Sequence, residues 1–171
     1  MKHWYLIAII GMSSSGVAGC AVKSSASLAI NEVEPSNSKD CADEVNERND
    51  WVELYNKGDE AVNLGGYSIT DDTASPRKSI LPDGLMIEAK GVVLLWADGT
   101  PDQGKTHLKI KFSSKGEGVT LYDPDEKQID QFRWTDAVSD VSFARIPDGT
   151  GAFQRCQPST CGTLNGASCG K

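Results

Sequence analysis

Turn-forming residues divide this sequence after residue 27 into segments that are too short for stable helices. Gly, Pro, Asn and Asp recur at intervals of roughly ten residues, as in NKGD, LPDG, DPDEK and PDGTG. The segments between them are rich in Val, Ile, Leu, Tyr and Trp, and several alternate apolar with polar residues. No window of a dozen residues keeps an apolar stripe with helical spacing. The pattern predicts an all-β, antiparallel β-sandwich.

Ten segments carry this strand pattern, and most of them have the usual length of a β-strand. They are residues 28–34, 51–56, 61–64, 67–70, 85–88, 92–97, 108–112, 119–123, 129–134 and 141–146. Two other segments carry no such pattern. Residues 35–50 form a polar insertion after the first strand, and residues 156–171 form a tail rich in Cys, Gly and Ser. We therefore expect one sandwich domain over residues 28–155, followed by the tail.

The N-terminal residues have the composition of an export signal. Lys2 gives a positive start, and residues 4–12 are apolar but only about half as long as the ~20 residues that span a membrane. Val17, Ala18 and Gly19 then precede Cys20. This ending resembles a bacterial lipobox, in which the cysteine receives a diacylglyceryl group and cleavage follows before it.

The lipobox resemblance predicts how the chain is processed and where it resides. We expect a lipoprotein signal peptide over residues 1–19, attachment of palmitate-type acyl chains at Cys20, and a flexible tether over residues 20–27. The lipid would anchor the protein to a membrane of the cell envelope. Ala21, in place of Asp after the cysteine, favours the outer membrane if the organism is Gram-negative. A plain signal peptide cut near Cys20 is the alternative.

The charge balance excludes several classes of function. The chain has 24 acidic against 17 basic residues and a net charge of −7, whereas proteins that bind nucleic acids are usually basic. We therefore expect no nucleic-acid partner. Only two histidines occur, and His3 lies in the leader, which excludes a His-rich zinc site. No metal site and no cofactor are expected.

Some residues are of types that often catalyse reactions or bind metals, but each of them also has a purely structural interpretation. His107 has no nucleophile motif nearby and is predicted to be a surface histidine at a strand start, so no catalytic residue is expected. Residues 123–127 are predicted to form a turn, because Pro124 fixes the backbone φ angle that such a turn requires. Asp40, Asp43 and Glu44 are predicted to be solvated loop charges, with a weak calcium site between loops as the alternative.

Three tryptophans fall within the strand pattern. They are Trp51, Trp96 and Trp134. We expect them to pack in the core or between the sheets, because large aromatic side chains stabilise such positions. The alternative is an exposed aromatic platform that binds sugars or peptides. An exposed aromatic groove would favour such a binder, whereas a cleft of perturbed carboxylates around His107 would favour an enzyme.

The remaining cysteines form an even set in an exported chain. They are Cys41, Cys156, Cys161 and Cys169. Because the compartment is oxidising, we expect two disulfides rather than a zinc site. Sequence alone allows three pairings. The favoured one joins Cys156 to Cys161 across a short turn and Cys41 to Cys169 across most of the domain.

Six motifs, in order, resemble the lamin tail domain in its bacterial secreted form. They are residues 30–33 (INEV), 50–56 (DWVELYN), 62–72 (VNLGGYSITDD), 81–84 (LPDG), 116–123 (GEGVTLYD) and 142–149 (SFARIPDG). The resemblance spans about residues 27–155 and implies an immunoglobulin-like β-sandwich, which agrees with the strand pattern. It also implies an interaction or targeting module, and it supplies no active site.

These observations together predict a lipid-anchored, extracytoplasmic binding or scaffolding module without catalytic activity, with a protein or cell-envelope partner. Two alternatives stay open. One is a surface lipoprotein that binds carbohydrate or peptide. The other is an accessory subunit of a secreted hydrolase or nuclease.

Overall fold

The computed structural model describes residues 27–166 and residue 169, and its regular elements are eleven β-strands. They are β1 Leu28–Glu34, β2 Trp51–Asn56, β3 Val62–Asn63, β4 Ser68–Thr70, β5 Ser79–Ile80, β6 Met86–Ile87, β7 Val92–Trp96, β8 Glu117–Tyr122, β9 Gln128–Trp134, β10 Ser142–Ile146 and β11 Ala152–Cys156. The predicted signal peptide, Cys20 and the tether up to residue 26 lie outside the described residues. In the described part of the chain, no helix is long and apolar enough to span a membrane.

The strands form two large antiparallel sheets that face each other across one core. The first sheet has the order β11-β10-β1-β2-β7 and the second has the order β5-β4-β8-β9, while β3 and β6 form a separate pair. Apolar residues of both sheets meet between them, and they include Ile30, Val33, Val52, Leu54 and Leu95 from the first sheet and Ile69, Val119, Leu121 and Trp134 from the second. This confirms the predicted all-β, immunoglobulin-like antiparallel β-sandwich.

The strand prediction was wrong at three places. Residues 108–112 form no strand, and this segment makes only isolated bridges, from His107 to Trp96 and from Lys111 to Asp98. The short strand β5 was not predicted, because two residues give no periodic pattern. β11 was also missed, because it is an edge strand with only one fully buried residue and therefore lacks an apolar face.

A β-bulge in β1 sets which side chains of that strand face the core. Ile30 and Glu32 pair with adjacent residues of β2, so Asn31 is an extra residue in the ladder. Ile30 and Val33 can therefore both reach the core although they are three residues apart. The bulge directs Glu32 and Glu34 to the opposite face of the sheet, away from the core.

The bulge also leaves backbone groups that need partners from outside the ladder. The backbone N–H of Ile30 donates to Asp130 on β9 at 3.0 Å, and the carbonyl of Ile30 accepts from Arg145 Nε on β10 at 2.8 Å. Arg145 also donates to both carboxylate oxygens of Asp130 at 3.0 Å. This half-buried ion pair joins β10 of the first sheet to β9, an edge strand of the second sheet, beside the bulge.

Two disulfides fasten the strandless segments to each other and to the sandwich. The bonded pairs are Cys41–Cys161, with Cα atoms 6.5 Å apart, and Cys156–Cys169, with Cα atoms 4.9 Å apart. The existence of two disulfides is as predicted, but the favoured pairing, Cys156–Cys161 with Cys41–Cys169, is wrong. Cys156 ends β11, and the tail then runs to the polar insertion, so that Cys161 meets Cys41 and the end of the tail returns to Cys156.

The first prediction concerns the relative weight of the two disulfides. Removing Cys41–Cys161 by alanine substitution of both residues should lower the free energy of unfolding by about 5 kcal/mol, because that bond closes a loop of 120 residues. Removing Cys156–Cys169, which closes 13 residues, should cost about 3 kcal/mol or less. Urea denaturation of both double variants measures this. An equal or larger loss for the short bond would contradict the assignment, as would a Cys41–Cys169 peptide in non-reducing mapping.

Candidate functional site

Three glutamates lie on the outer face of the five-stranded sheet, where solvated side chains are the norm. They are Glu32 and Glu34 on β1 and Glu53 on β2, and Glu32 and Glu53 are direct cross-strand partners. All three are fully buried, with no exposed area. They are buried because the polar insertion (residues 35–50) and the C-terminal tail (residues 157–166) cover this face.

Glu32 is held by a hydrogen-bond network from β10 and the tail. Ser142 Oγ donates to Glu32 Oε1, which also accepts from the backbone N–H of Thr160 at 3.1 Å. Thr160 Oγ1 lies 2.6 Å from Glu32 Oε2 and 2.7 Å from Asn165 Oδ1, yet a hydroxyl carries one proton. Thr160 Oγ1 is the donor to both oxygens and shares its one proton between them, while burial raises the pKa of Glu32 above its usual value.

Asn31, the bulge residue, connects Glu53 to the tail. Its side-chain amide donates to Glu53 Oε1 and to Asp148 Oδ1, both at 2.9 Å. Asp148 also accepts from the backbone N–H of Asn165 at 2.8 Å, and Asn165 in turn donates to the carbonyl of Arg145 at 2.8 Å. The tail is therefore held over the sheet by the side chain of Glu32 on β1, the carbonyl of Arg145 on β10 and the side chain of Asp148 in the β10–β11 loop.

Burial changes the protonation of these glutamates. Desolvation raises the pKa of Glu53 to about 9, and desolvation together with the negative charge of Asp40 raises the pKa of Glu34 to about 8. Ser159 beside Glu34 and the backbone of Gly162 beside Glu53 lower these pKa values by less than burial raises them. Both carboxyl groups are consequently protonated at neutral pH, which removes the cost of burying unpaired charges.

A cavity of about 380 Å³ opens at the end of this face, where the insertion meets the tail. Its lining residues are Asp40, Cys41, Pro158, Ser159, Thr160, Cys161 and Thr163. The Cys41–Cys161 disulfide forms part of its wall, and Asp40 brings a negative charge close enough to act on Glu34. The cavity has the volume of a ligand-binding site, its lining is about evenly polar and apolar, and Asp40 is the one charged residue among those that line it.

His107 was predicted to be a surface histidine, and this prediction is wrong. Its side chain is fully buried, with Nδ1 2.5 Å from Asp98 Oδ2 and Nε2 2.9 Å from Glu44 Oε1. Burial lowers the pKa of His107, but the hydrogen bonds to Asp98 and Glu44 raise it by more, so the pKa lies above its usual value. Since both ring nitrogens are engaged by carboxylates, the imidazole has no free nitrogen with which to activate a nucleophile.

The acidic residues of the insertion are also more than solvated charges. Asp43 accepts hydrogen bonds from the backbone N–H groups of Val45 and Glu47, and Glu44 contacts His107 although most of its own side chain is exposed. Asp40 accepts from the backbone N–H of Ser159 at 3.2 Å and lines the cavity. No local sequence pattern indicates these roles, because each depends on a partner at least 60 positions away or on the fold of the loop.

The three tryptophans and the turn at residues 123–127 have the structural roles that the sequence predicts for them. Trp51, Trp96 and Trp134 are all buried, so they form no exposed aromatic platform. Asp123 Oδ1 accepts from the backbone N–H groups of Asp125 and Lys127, as expected for a turn over residues 123–127. Cys20, the predicted lipid-attachment site, lies outside the described residues.

Comparison with known proteins identifies one family. The sequence model described as Lamin Tail Domain matches residues 21–136, which is more than half of the chain. The matched region contains β1 to β9 and the whole polar insertion, while β10, β11 and the tail follow it. No curated protein matches the chain.

The second prediction concerns stability against pH. Glu34 and Glu53 have raised pKa values, so the folded state keeps protons that the unfolded chain releases near pH 4.5. The free energy of unfolding should therefore fall between about pH 5 and 9, by at most about 1.4 kcal/mol per pH unit for each proton. The raised pKa of His107 acts in the same direction.

Substitutions of single glutamates separate their contribution to this pH dependence from that of the other titrating groups. Glu34→Gln and Glu53→Gln should each flatten this pH dependence, since a glutamine resembles the protonated side chain and does not titrate. Glu88→Gln, at an exposed glutamate, is the matched control and should leave the slope unchanged. Urea denaturation at pH 5, 7 and 9 measures the slopes. Parallel slopes for the wild type and both buried-site variants would contradict the prediction.

Proposed function

Because this chain belongs to the lamin tail domain family, we propose that it is a lipid-anchored, extracytoplasmic binding module. The immunoglobulin-like domains of this family are not typically catalytic. In this proposal, acyl chains on Cys20 hold the protein on a membrane of the cell envelope. The end of the sandwich that carries the cavity binds a protein partner through a basic side chain. The observation that supports this function best is the position of the cavity, which lies at the end of β1 opposite to the end that the proposed tether precedes.

The sequence around Cys20 supports anchoring at the start of β1. Residues 17–20 resemble a lipobox, and β1 begins eight residues after Cys20. An extended chain of that length reaches about 27 Å, which is enough to hold the domain beside a bilayer without embedding it. Each buried acyl CH₂ group contributes about 0.8 kcal/mol, so two or three chains give durable attachment.

The two disulfides support an extracytoplasmic location. Disulfides persist in oxidising compartments and are rare in the cytosol. Cys41–Cys161 also forms part of the cavity wall, so the candidate site itself depends on oxidation. This agrees with export, and with the outer membrane as the destination in a Gram-negative organism.

The direction of β1 supports a cavity that faces away from the membrane. Ser27, just before β1, pairs through its carbonyl with the backbone N–H of Lys57 at 2.6 Å, so the tether leaves the domain beside the turn after β2. The insertion begins at the other end of β1, directly after Glu34. Seven residues of strand span about 23 Å, so the cavity end would face away from the membrane.

The chemistry of the cavity end suits a basic partner. Asp40 lines the cavity, Asp140 acts on the buried Glu34 beneath it, and the chain as a whole carries a net charge of −7. Three exposed apolar side chains lie on the segments around this end: Val45 in the insertion, Val138 before β10 and Leu164 in the tail. An acidic side chain in the cavity, with exposed apolar side chains on neighbouring segments, fits a protein segment that carries a lysine or arginine.

The alternatives have less support. A carbohydrate platform built from Trp51, Trp96 and Trp134 is disfavoured, because all three are buried. An accessory subunit of a secreted hydrolase remains compatible with a binding module, since such a hydrolase would be a protein partner. Nucleic acid is disfavoured by the acidic charge.

The third prediction tests the anchor. Cys20→Ser should abolish acylation and leave the protein either unprocessed or released from membranes. Fractionation of cells, with mass spectrometry of the N-terminal peptide, measures this. Cys41→Ser is the matched control and should keep the acyl mass. An unmodified mature N-terminus beyond Cys20 in the wild-type protein would contradict the anchor.

The fourth prediction tests the binding surface. A photo-crosslinking residue at Thr163, which lines the cavity, should capture a protein partner in intact cells, and mass spectrometry would identify it. The same residue at Met86, on the separate strand β6, is the control and should capture none. Asp40→Lys should reduce capture at position 163 several-fold by charge repulsion. Equal capture at both positions, or no reduction by Asp40→Lys, would contradict the proposed surface.

A further inference from the structure

Three potential metal ligands converge where the polar insertion meets the loop after β7. Asp43, Asp98 and His107 each bring one ligand atom to within 4.8 Å of the other two. We propose that these three side chains bind a divalent transition-metal ion, with Zn²⁺ as the best fit, and that Glu44 orients His107 for it. The site is separate from the cavity, and it depends neither on the lipid anchor nor on the proposed partner.

The contacts of His107 are the first argument for an ion. Nδ1 faces Asp98 Oδ2 at 2.5 Å and Nε2 faces Glu44 Oε1 at 2.9 Å, but a neutral imidazole has only one N–H. If Nε2–H donates to Glu44, the lone pair of Nδ1 points towards a carboxylate oxygen. A second proton on the ring satisfies that arrangement, and so does a metal ion that binds both atoms once they move further apart.

The charge of the cluster is the second argument. Asp43, Asp98 and Glu44 bring three carboxylates, while His107 supplies at most one positive charge. The ion pairs found in the described part of the chain join no lysine or arginine to any of these three. The side chain of Asp98 is only 2% exposed, and buried negative charge is costly unless a cation compensates it. A divalent ion would supply the missing charge.

The supporting hydrogen bonds match those of known metal ligands. Thr100 N–H donates to Asp98 Oδ1 at 3.0 Å and leaves Oδ2 for the ion. Glu44 accepts from the second ring nitrogen of His107, as carboxylates outside the ligand set do for metal-bound histidines. Ligands of a tetrahedral zinc ion lie about 3.4 Å apart, so binding would separate Nδ1 from Oδ2 by about 1 Å, which is within the range of a carboxylate rotation.

The ligand types favour zinc over calcium. One imidazole and two carboxylates leave one position of a tetrahedral zinc ion for water. Calcium takes six to eight oxygen ligands and does not favour nitrogen. Because Asp43 lies in the insertion and Asp98 follows β7, the ion would fasten the insertion to the sandwich a second time, beside the Cys41–Cys161 disulfide.

Calorimetric titration of the purified full chain with Zn²⁺ tests the proposal, after treatment with a chelator and with both disulfides intact. All proteins carry His3→Gln, so that His107 is the single histidine. We expect one ion per chain with a micromolar or lower Kd. Co²⁺ should give visible absorption bands typical of nitrogen and oxygen ligands. His107→Gln should abolish binding, and Asp43→Asn should weaken it at least tenfold.

Two further variants show whether a loss of Zn²⁺ binding comes from the loss of a ligand. Asp102→Asn alters an exposed aspartate in the same loop as Asp98 and should leave the affinity unchanged. Asp43 is only partly buried, so Asp43→Asn remains informative even if His107→Gln fails to fold. The proposal is overturned if the His3→Gln protein binds no stoichiometric Zn²⁺, if Asp43→Asn binds as tightly as Asp102→Asn, or if Ca²⁺ binds more tightly than Zn²⁺.

Discussion

The burial of three carboxyl groups on the outer face of a β-sheet is the constraint on which this structure depends. Glu32, Glu34 and Glu53 have no exposed area, so this face cannot be left to water as the outer face of a sandwich usually is. This face has to be covered by segments that either donate hydrogen bonds to the carboxyl groups or pack against carboxyl groups that are protonated. The polar insertion and the C-terminal tail do this, and they are therefore part of the folded domain rather than appendages to it.

The candidate sites follow from that cover. The tail crosses the sheet from Cys156 to Asn165, is fixed to β1 through Asn31 and Glu32, and meets the insertion at the Cys41–Cys161 disulfide. The same meeting point forms the cavity, while the other side of the insertion meets His107 through Glu44. The contacts that bury the glutamates thus hold two segments without regular structure in place, and loops positioned on a folded scaffold are a suitable frame for binding.

The strands that form the core could be predicted from the sequence, but the covering of the outer face by the insertion and the tail could not, for physical reasons. Alternating apolar residues reveal the strands of the sandwich, and the motifs of β1 and β2 reveal the family, because both signals are local. Glu32 and Glu53 gave no such signal, since a charged residue at an alternate strand position normally faces water. The partners of Cys41, Glu44 and Thr160 lie 63 to 128 positions away, so no local pattern could reveal them. The bulge at Asn31 was equally invisible, because it changes which face a residue occupies without changing the residue types.

Direct titration of the buried glutamates tests this account most closely. Carbon-13 NMR of the glutamate Cδ atoms follows each carboxyl group between pH 3 and pH 10. The account predicts that two buried glutamates titrate far above the others, Glu34 near pH 8 and Glu53 near pH 9, and that Glu34→Gln and Glu53→Gln each remove one of these transitions. If every glutamate titrates close to pH 4.5, the outer face of the sheet is solvated, and the proposed cover of insertion and tail does not exist.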